Sequence, residues 1–241
     1  MIKNSVRIHL KIQWLFLFAC DFSECHKVLM RNKELLKLIA GFRRFRQKYF
    51  SGEHPLYNKL SLGQSPKTLI IGCSDSRVDP ALISSADPGE IFVVRNVANL
   101  VPPYEPANLG FHGVSAAIEF AVVNLKVENI VILGHRQCGG IRALVAEQNK
   151  NQNSFVSRWM EIAAQAKENM LKKHAHLDFE EQCRECEMEG IVTSLENLKT
   201  FPFVREALSQ RTLHLYGIYF DLEQGKLFEF DENSSHFRQL E

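Results

Sequence analysis

Two cysteines and one histidine are the residues of this sequence that could bind a transition metal. Cys73 and His135 each close a short apolar run, and Cys138 follows His135 by three positions. Thiolate sulfur and imidazole nitrogen together suit zinc. Three protein ligands leave the fourth tetrahedral position open, as in catalytic zinc sites. The alternative is a buried free cysteine with two loop residues, and spacing alone does not separate the two interpretations.

Two charged residues closely follow the first cysteine. Asp75 and Arg77 lie two and four positions after Cys73, where they would form an ion pair at the mouth of a metal site. A carboxylate there could accept a hydrogen bond from a zinc-bound hydroxide and orient it, or it could bind the zinc and block the open position. The alternative is a surface ion pair, which contributes little to stability.

The apolar runs that end at these residues predict buried parallel strands. Residues 67–73, 90–96 and 129–135 are short and continuously apolar, which is typical of strands covered on both faces. Helical patterns occur at residues 111–125, 139–149, 155–173, 179–199 and 202–208. Since ligands bind beyond the carboxyl ends of parallel strands, we expect Cys73 and His135 to converge.

The two ends of the pattern complete the predicted fold. Residues 212–221 and 227–230 resemble two strands joined by a turn, which predicts a hairpin at the sheet edge. From Asn32 to Phe50, apolar residues recur at helical spacing. The sequence therefore predicts an α/β fold, with a mainly parallel central sheet, flanking helices, an edge hairpin strand and an N-terminal helical arm.

The composition is that of an ordinary globular protein. Of 241 residues, 45% are hydrophobic and 24% charged, which is enough to build a core. The formal net charge of +1 provides no basic surface, so we predict no nucleic-acid partner. Six scattered cysteines do not form a disulfide framework and favour a reducing compartment, so we expect a cytoplasmic location.

Residues 1–29 form an N-terminal extension. Basic residues precede the apolar run from Ile12 to Cys20, which is too short to span a bilayer, and no other segment approaches transmembrane length. We interpret residues 1–29 as the product of an upstream start codon, with residues 30–241 as the working domain. The alternative is a weak signal sequence, which would make the protein an exported one.

The segments around the candidate ligands resemble the paired signature of β-class carbonic anhydrases of the plant-like branch. These segments are Cys73-Ser-Asp-Ser-Arg-Val78 and Gly134-His-Arg-Gln-Cys-Gly-Gly140, and the resemblance extends over roughly residues 32–230. Two motifs at the right separation are a specific signal. The resemblance implies an enzyme with one Zn²⁺ per subunit that interconverts carbon dioxide and bicarbonate. It also implies a homodimer or a larger homo-oligomer.

The resemblance assigns roles around the metal. It implies that the three candidate ligands bind zinc and that Asp75 and Arg77 form the pair that orients the zinc-bound hydroxide. Family members whose zinc is blocked by the aspartate usually carry Trp three residues before the first cysteine, where this chain has Ile70. The resemblance therefore implies the open form, with Asp75 paired to Arg77.

The resemblance also implies a substrate pocket. Gln64 matches a glutamine that the neighbouring subunit contributes, and Phe92 matches a phenylalanine that lines the carbon dioxide pocket. Phe120 stands where many plant-like members have tyrosine, so any hydrogen bond made by that tyrosine is lost here. Val97 is a further candidate for the apolar wall. For Val97 and Phe120, ordinary core packing is at least as good an interpretation.

Other cysteines and histidines suggest further sites. Cys183 and Cys186, with His174 and His176 upstream, have the spacing of a second zinc site or a redox pair. Because they fall in the middle of a predicted helix, we favour a packed or surface thiol pair. His112 lies at a predicted helix start, where we expect a capping or hydrogen-bonding role, with a proton relay as the alternative.

Two other functions compete with carbon dioxide hydration. One is hydrolysis of carbon disulfide or carbonyl sulfide on the same zinc scaffold. The other is a zinc-stabilised binding or regulatory module without catalysis, against which the intact Asp75 and Arg77 pair argues.

Overall fold

The structure is a computed structural model, and it describes residues 33–52, 55–106, 110, 112–147 and 154–240. The expected boundary after residue 29 and the nature of residues 1–29 lie outside the described residues. The chain divides between Gly63 and Gln64 into two compact units. Among the described residues, no helix is both long enough and apolar enough to cross a membrane.

Two helices form the described part of the first unit. They are α1 (Lys33–Phe50) and α2 (Tyr57–Leu60). The predicted N-terminal helix is therefore confirmed to within one residue. Several of the apolar side chains of α1 are exposed in the single chain, among them Leu38 and Phe42.

A six-stranded sheet organises the second unit. Its strands are β1 (Thr68–Cys73), β2 (Ile91–Asn96), β3 (Asn129–His135), β4 (His214–Asp221), β5 (Lys226–Asp231) and β6 (His236–Gln239). The order is β2-β1-β3-β4-β5-β6. The first four strands are parallel, and β5 and β6 join in antiparallel fashion. This confirms the predicted parallel sheet and edge hairpin, and it adds β6, which sequence analysis missed.

Helices precede or follow these strands along the second unit. They are α3 (Pro80–Ser84), α4 (Gly113–Glu119), α5 (Gly139–Val145), α6 (Phe155–Met160), α7 (Ala164–His174), α8 (Phe179–Leu198) and α9 (Pro202–Ser209). The helix predicted over residues 111–125 continues after α4 as a π-helical segment, Phe120–Leu125. The pattern over residues 155–173 is divided by a short 3₁₀ turn, Glu161–Ala163.

Helix α8 lies close to β3 and β4 because two glycines leave room for it. A Cβ atom on Gly134 would lie 2.7 Å from Cδ1 of Ile191, and one on Gly217 would lie 2.7 Å from its Cγ2. Both distances are shorter than real carbon contacts, so any larger residue at these positions would force the side chain of Ile191 to shift. This packing brings Glu187, one helical turn before Ile191, next to β4 and the residues that follow β3.

Candidate metal centre

The three predicted ligands converge beyond the ends of two neighbouring strands. Cys73 ends β1 and His135 ends β3, and these strands are adjacent and parallel. Cys138 is the residue immediately before α5. One ligand atom from each of the three residues lies within 4.8 Å of the other two. All three side chains are buried, so the arrangement has the composition and size of a zinc site.

The histidine is prepared to bind a metal through one particular nitrogen. Nδ1 of His135 lies 2.8 Å from the carbonyl oxygen of Arg136. A carbonyl oxygen only accepts hydrogen bonds, so Nδ1 carries the proton and Nε2 presents a lone pair. Nε2 is buried and has no hydrogen-bond partner among the described residues. A buried nitrogen without a partner is costly, and a metal ion would satisfy it.

The two thiols affect each other's ionisation. The neighbouring Cys138 lowers the pKa of Cys73, and the neighbouring Cys73, together with burial, raises the pKa of Cys138. Cys73 therefore loses its proton more readily than Cys138. Zinc binding deprotonates coordinated thiols, so two sulfurs and Nε2 of His135 fit this ion.

Asp75 and Arg77 form a bidentate ion pair beside the ligands. Nε of Arg77 donates to Oδ1 of Asp75 at 2.9 Å, and Nη2 donates to Oδ2 at 2.7 Å. These hydrogen bonds hold the pKa of the Asp75 carboxyl well below its usual range. The carboxylate is therefore ionised throughout the physiological range and acts only as an acceptor.

A half-buried arginine supports the backbone of this segment. Nε of Arg95 donates to the carbonyl oxygen of Cys73 at 2.9 Å, and Nη2 donates to that of Asp75 at 2.7 Å. Its third contact is with Asp79 at 2.8 Å. Arg95 comes from the neighbouring strand β2, so it fixes the turn that follows the first ligand. Sequence analysis did not identify this residue.

Glu187 supports the third ligand and was also missed. Its Oε1 accepts from the backbone N–H of Cys138 at 2.9 Å, and its Oε2 accepts from the hydroxyl of Tyr219 at 2.8 Å. Burial raises the pKa of Glu187 to about 7. The available signal was periodicity, because Glu187 falls on the buried stripe of α8 that also includes Cys183, Cys186, Gly190, Ile191, Ser194, Leu195 and Leu198.

The predicted pocket residues fall in different places. Val97 adjoins the metal-binding loop, since a Cβ on Gly140 would lie 2.9 Å from its Cγ1. The rings of Phe92 and Phe120 contact each other, with centroids 5.9 Å apart. Phe92 also packs against a buried apolar cluster, whereas Phe120 is exposed. Gln64 is exposed as well. The structure thus brings Val97 to the ligand loop within one chain.

Cys183 and Cys186 are buried in α8, which confirms a packed thiol pair. Burial raises their pKa values to about 11 and about 12, so neither is a ready nucleophile or ligand. Among the described residues, the one cluster of three or more side chains that could hold a metal ion is Cys73, His135 and Cys138, and it does not include Cys183 or Cys186. His112 occupies the N-cap position of α4, but its side chain makes no capping hydrogen bond, and its buried Nε2 has no hydrogen-bond partner among the described residues.

Known proteins match this sequence and this fold. A family model described as carbonic anhydrase matches residues 68–227. The chain is 38% identical to beta carbonic anhydrase 3 of Arabidopsis thaliana over 200 residues, which are 81% of this chain and 77% of the relative.

Two solved structures show the same likeness. The β-carbonic anhydrase CcaA is 33% identical with a TM-score of 0.80, over 86% of this chain and 92% of that one. One of two β-carbonic anhydrases of Sordaria macrospora, which are described as tetrameric, is 30% identical with a TM-score of 0.65, over 86% of this chain and 96% of that one.

Proposed function

The chain belongs to the β-carbonic anhydrase family and is a carbonic anhydrase, and we propose that it hydrates carbon dioxide reversibly at a zinc ion held by Cys73, His135 and Cys138. The observation that supports this most strongly is the meeting of the three ligand atoms within 4.8 Å. The partnerless Nε2 of His135 adds to it.

The ligand set determines the electrostatics of the proposed site. When bound, zinc supplies Lewis acidity that lowers the pKa of water, so that hydroxide is available near neutral pH. Cys73 and Cys138 bring two negative charges that offset the charge of the ion, whereas His135 brings none. The water should therefore be less acidic than in a site of three neutral histidines. We expect turnover to rise through mildly alkaline pH, and a flat rate would contradict this.

Asp75 has the geometry to orient the nucleophile. Arg77 contacts both carboxylate oxygens and fixes the carboxylate plane. Oδ1 accepts from both the backbone N–H and Nε of Arg77, whereas Oδ2 accepts one hydrogen bond and retains lone-pair capacity. Oδ2 can therefore accept the hydrogen of hydroxide and leave an oxygen lone pair directed at carbon dioxide. Carbon dioxide has no net charge, which suits an apolar wall at Val97. Asp75 thus positions a proton, and Arg77 positions Asp75.

Carbon dioxide hydration by the zinc-replete protein, measured by stopped flow, tests this proposal. We expect Asp75→Ala to lower turnover by about 10- to 100-fold, as for other residues that orient a metal site. The matched control is Glu229→Ala, which removes a carboxylate paired with Arg238 at 2.8 Å and should leave turnover unchanged. Absence of hydration by the wild type would reject the proposal and leave the sulfur-substrate hydrolase or the binding module.

We also propose that the protein works as a homodimer or larger homo-oligomer. The exposed apolar side chains of α1 and the tetrameric description of the Sordaria macrospora relatives support it. In such an assembly, Gln64, Phe92 and Phe120 would line the pocket, with Gln64 serving the neighbouring subunit. Light scattering should give a mass of at least twice the 27.6 kDa of one chain, and a single-chain mass would reject the proposal.

The proposed location is the cytoplasm. The four described cysteines are free thiols, and free thiols persist in reducing compartments. Fractionation of cells that express the full chain tests this location, and recovery outside the cytoplasm would favour the export signal.

A further inference from the structure

We infer that Gln137 is a positioning residue for the Asp75–Arg77 pair and that Glu223 acts through it. The inference rests on the proposed function, because it concerns how that pair is held. Gln137 lies between the second and third ligands, in the turn that joins His135 to Cys138. Its φ of 59° places it in the left-handed region, which is uncommon for a residue other than glycine and is often found at functional sites.

Both groups of Gln137 that can accept hydrogen bonds face Arg77. Nη2 of Arg77 donates to the backbone carbonyl oxygen of Gln137 at 3.1 Å, and Nη1 donates to its Oε1 at 3.3 Å. The Nε and Nη2 groups of the same guanidinium donate to Asp75. Arg77 is therefore held between Asp75 and Gln137, and its planar group cannot rotate without losing hydrogen bonds on both sides.

The hydrogen bonds from Gln137 matter because Arg77 is a long, half-exposed side chain. Its side chain is 47% exposed, and ordering such a side chain costs conformational entropy. Asp75 is only two residues away in the same turn, so the ion pair does not tie the guanidinium to another part of the chain. Gln137 is 60 residues away in sequence and belongs to the ligand loop, so its hydrogen bonds fix the pair relative to the metal centre.

The side-chain amide of Gln137 is itself anchored. Its Nε2 donates to Oε1 of Glu223, in the turn between β4 and β5. The N–H of Glu223 donates to the buried Asp221 at 2.9 Å, and Oε2 of Glu223 lies 3.6 Å from Nε of Arg136. Because Glu223 can only accept from the amide and Arg77 can only donate to it, a single amide orientation satisfies both neighbours. Glu223 therefore fixes the direction of Oε1 toward Arg77.

The variant Gln137→Met tests the role of the amide. Methionine is similar in length and meets a similar left-handed cost, but it cannot replace either hydrogen bond. We expect kcat for hydration to fall about three- to tenfold, as for loss of one or two partly exposed hydrogen bonds. KM should change by less than about twofold, because the pair acts on the transition state. Zinc content and Tm should match those of the wild type.

A second measurement does not depend on activity. Hydrogen exchange at Nε–H of Arg77, followed by ¹⁵N NMR, reports how firmly the guanidinium is held. We expect faster exchange in Gln137→Met than in the wild type. Glu229→Ala serves as a control that removes an acid of the same hairpin, and it should change neither exchange nor kcat.

Swapping the side chains of residues 137 and 223 should restore the activity that Gln137→Met loses. The double variant Gln137→Glu with Glu223→Gln keeps the net charge, keeps an acceptor toward Arg77 and reverses the direction of the amide–carboxylate hydrogen bond. We expect its kcat to lie within about twofold of the wild type, and Glu223→Ala alone to lower kcat in the same direction as Gln137→Met.

Three results would overturn the inference. The first is a Gln137→Met variant whose kcat and Arg77 hydrogen-exchange rate equal those of the wild type. The second is a loss of kcat that is accompanied by a loss of zinc or a lower Tm. The third is a double variant, Gln137→Glu with Glu223→Gln, whose kcat is no higher than that of Gln137→Met. A wild type that does not hydrate carbon dioxide would refute the proposed function instead, and the exchange rate of Arg77 would still test the inference.

Discussion

Replacing Glu187 with alanine would show how strongly the third ligand depends on α8. In the wild type, one carboxylate oxygen accepts from the N–H of Cys138 and the other accepts from the hydroxyl of Tyr219. Glu187 is 4% exposed and Tyr219 is fully buried. Water therefore cannot readily take the place of the carboxylate, and Glu187→Ala leaves two buried donors without acceptors.

The expected loss of stability follows from these two donors. A buried donor left unpaired costs about 1–3 kcal/mol, so two cost about 2–6 kcal/mol. Removal of a buried carboxylate whose pKa burial has raised to about 7 offsets part of that loss. We expect Glu187→Ala to lower the free energy of unfolding by about 2–4 kcal/mol and zinc affinity by about 10- to 100-fold.

Urea unfolding of the zinc-loaded protein and competition with a chelator measure these two quantities. Glu185→Ala is the matched control on the same helix, since its carboxylate makes a partly exposed contact with His174 at 3.5 Å. It should change the free energy of unfolding by at most about 1 kcal/mol. Tyr219→Phe should show coupling with Glu187→Ala in a double-mutant cycle.

Equal stability and equal zinc affinity in Glu187→Ala and Glu185→Ala would show that Glu187 does not support Cys138. Such a result would mean that the turn before α5 holds Cys138 in place without the carboxylate. Loss of stability with no coupling to Tyr219 would refute the shared role of the two carboxylate oxygens.

Three further predictions concern other parts of the second unit. Arg77 holds the pKa of Asp75 below its ordinary value of 3.8, so the pair stabilises the fold above about pH 4 and loses its contribution in acid. The difference in unfolding free energy between wild type and Asp75→Asn should therefore shrink as the pH falls, and a growing difference would contradict this. Gly134→Ala should lower the unfolding free energy by about 1–3 kcal/mol through overpacking, and this loss should be smaller in the Ile191→Ala background, which lacks both Cδ1 at 2.7 Å and Cγ1 at 2.8 Å; no loss in the single variant would contradict the contact. Metal analysis should give the same zinc content for the wild type and for the double variant Cys183→Ala with Cys186→Ala, and a lower content would place zinc at the packed thiols.

The main strands could be predicted because a strand that is buried on both faces appears in the sequence as a continuous apolar run. The apolar run at residues 129–135 matches β3 at both ends, and the run that ends at Cys73 matches β1 to within one residue. Strand β6 was missed because four residues with one large apolar side chain, Phe237, make no recognisable pattern. The π-helical segment was missed because its apolar residues also fit an α-helix.

The ligands could be predicted, but most of their supports could not. Cys73 and His135 end strands and Cys138 follows three residues later, whereas Glu187 is one of several acidic residues on α8 and differs from the others in sequence only by falling on the buried stripe. Gln137 gives no signal at all, because its role depends on a left-handed backbone conformation that the sequence does not specify. Contacts of this kind are made by tertiary packing, and only the folded chain shows them.

Zinc-edge X-ray absorption of the purified protein, combined with metal analysis, would show whether Cys73, His135 and Cys138 bind the ion. We expect one zinc per chain with two sulfur neighbours at about 2.3 Å and nitrogen or oxygen neighbours at about 2.0–2.1 Å. We also expect Cys138→Ser to reduce the sulfur count or abolish zinc binding. A shell of four sulfurs, a shell without sulfur, or a protein that binds no zinc would contradict this ligand set.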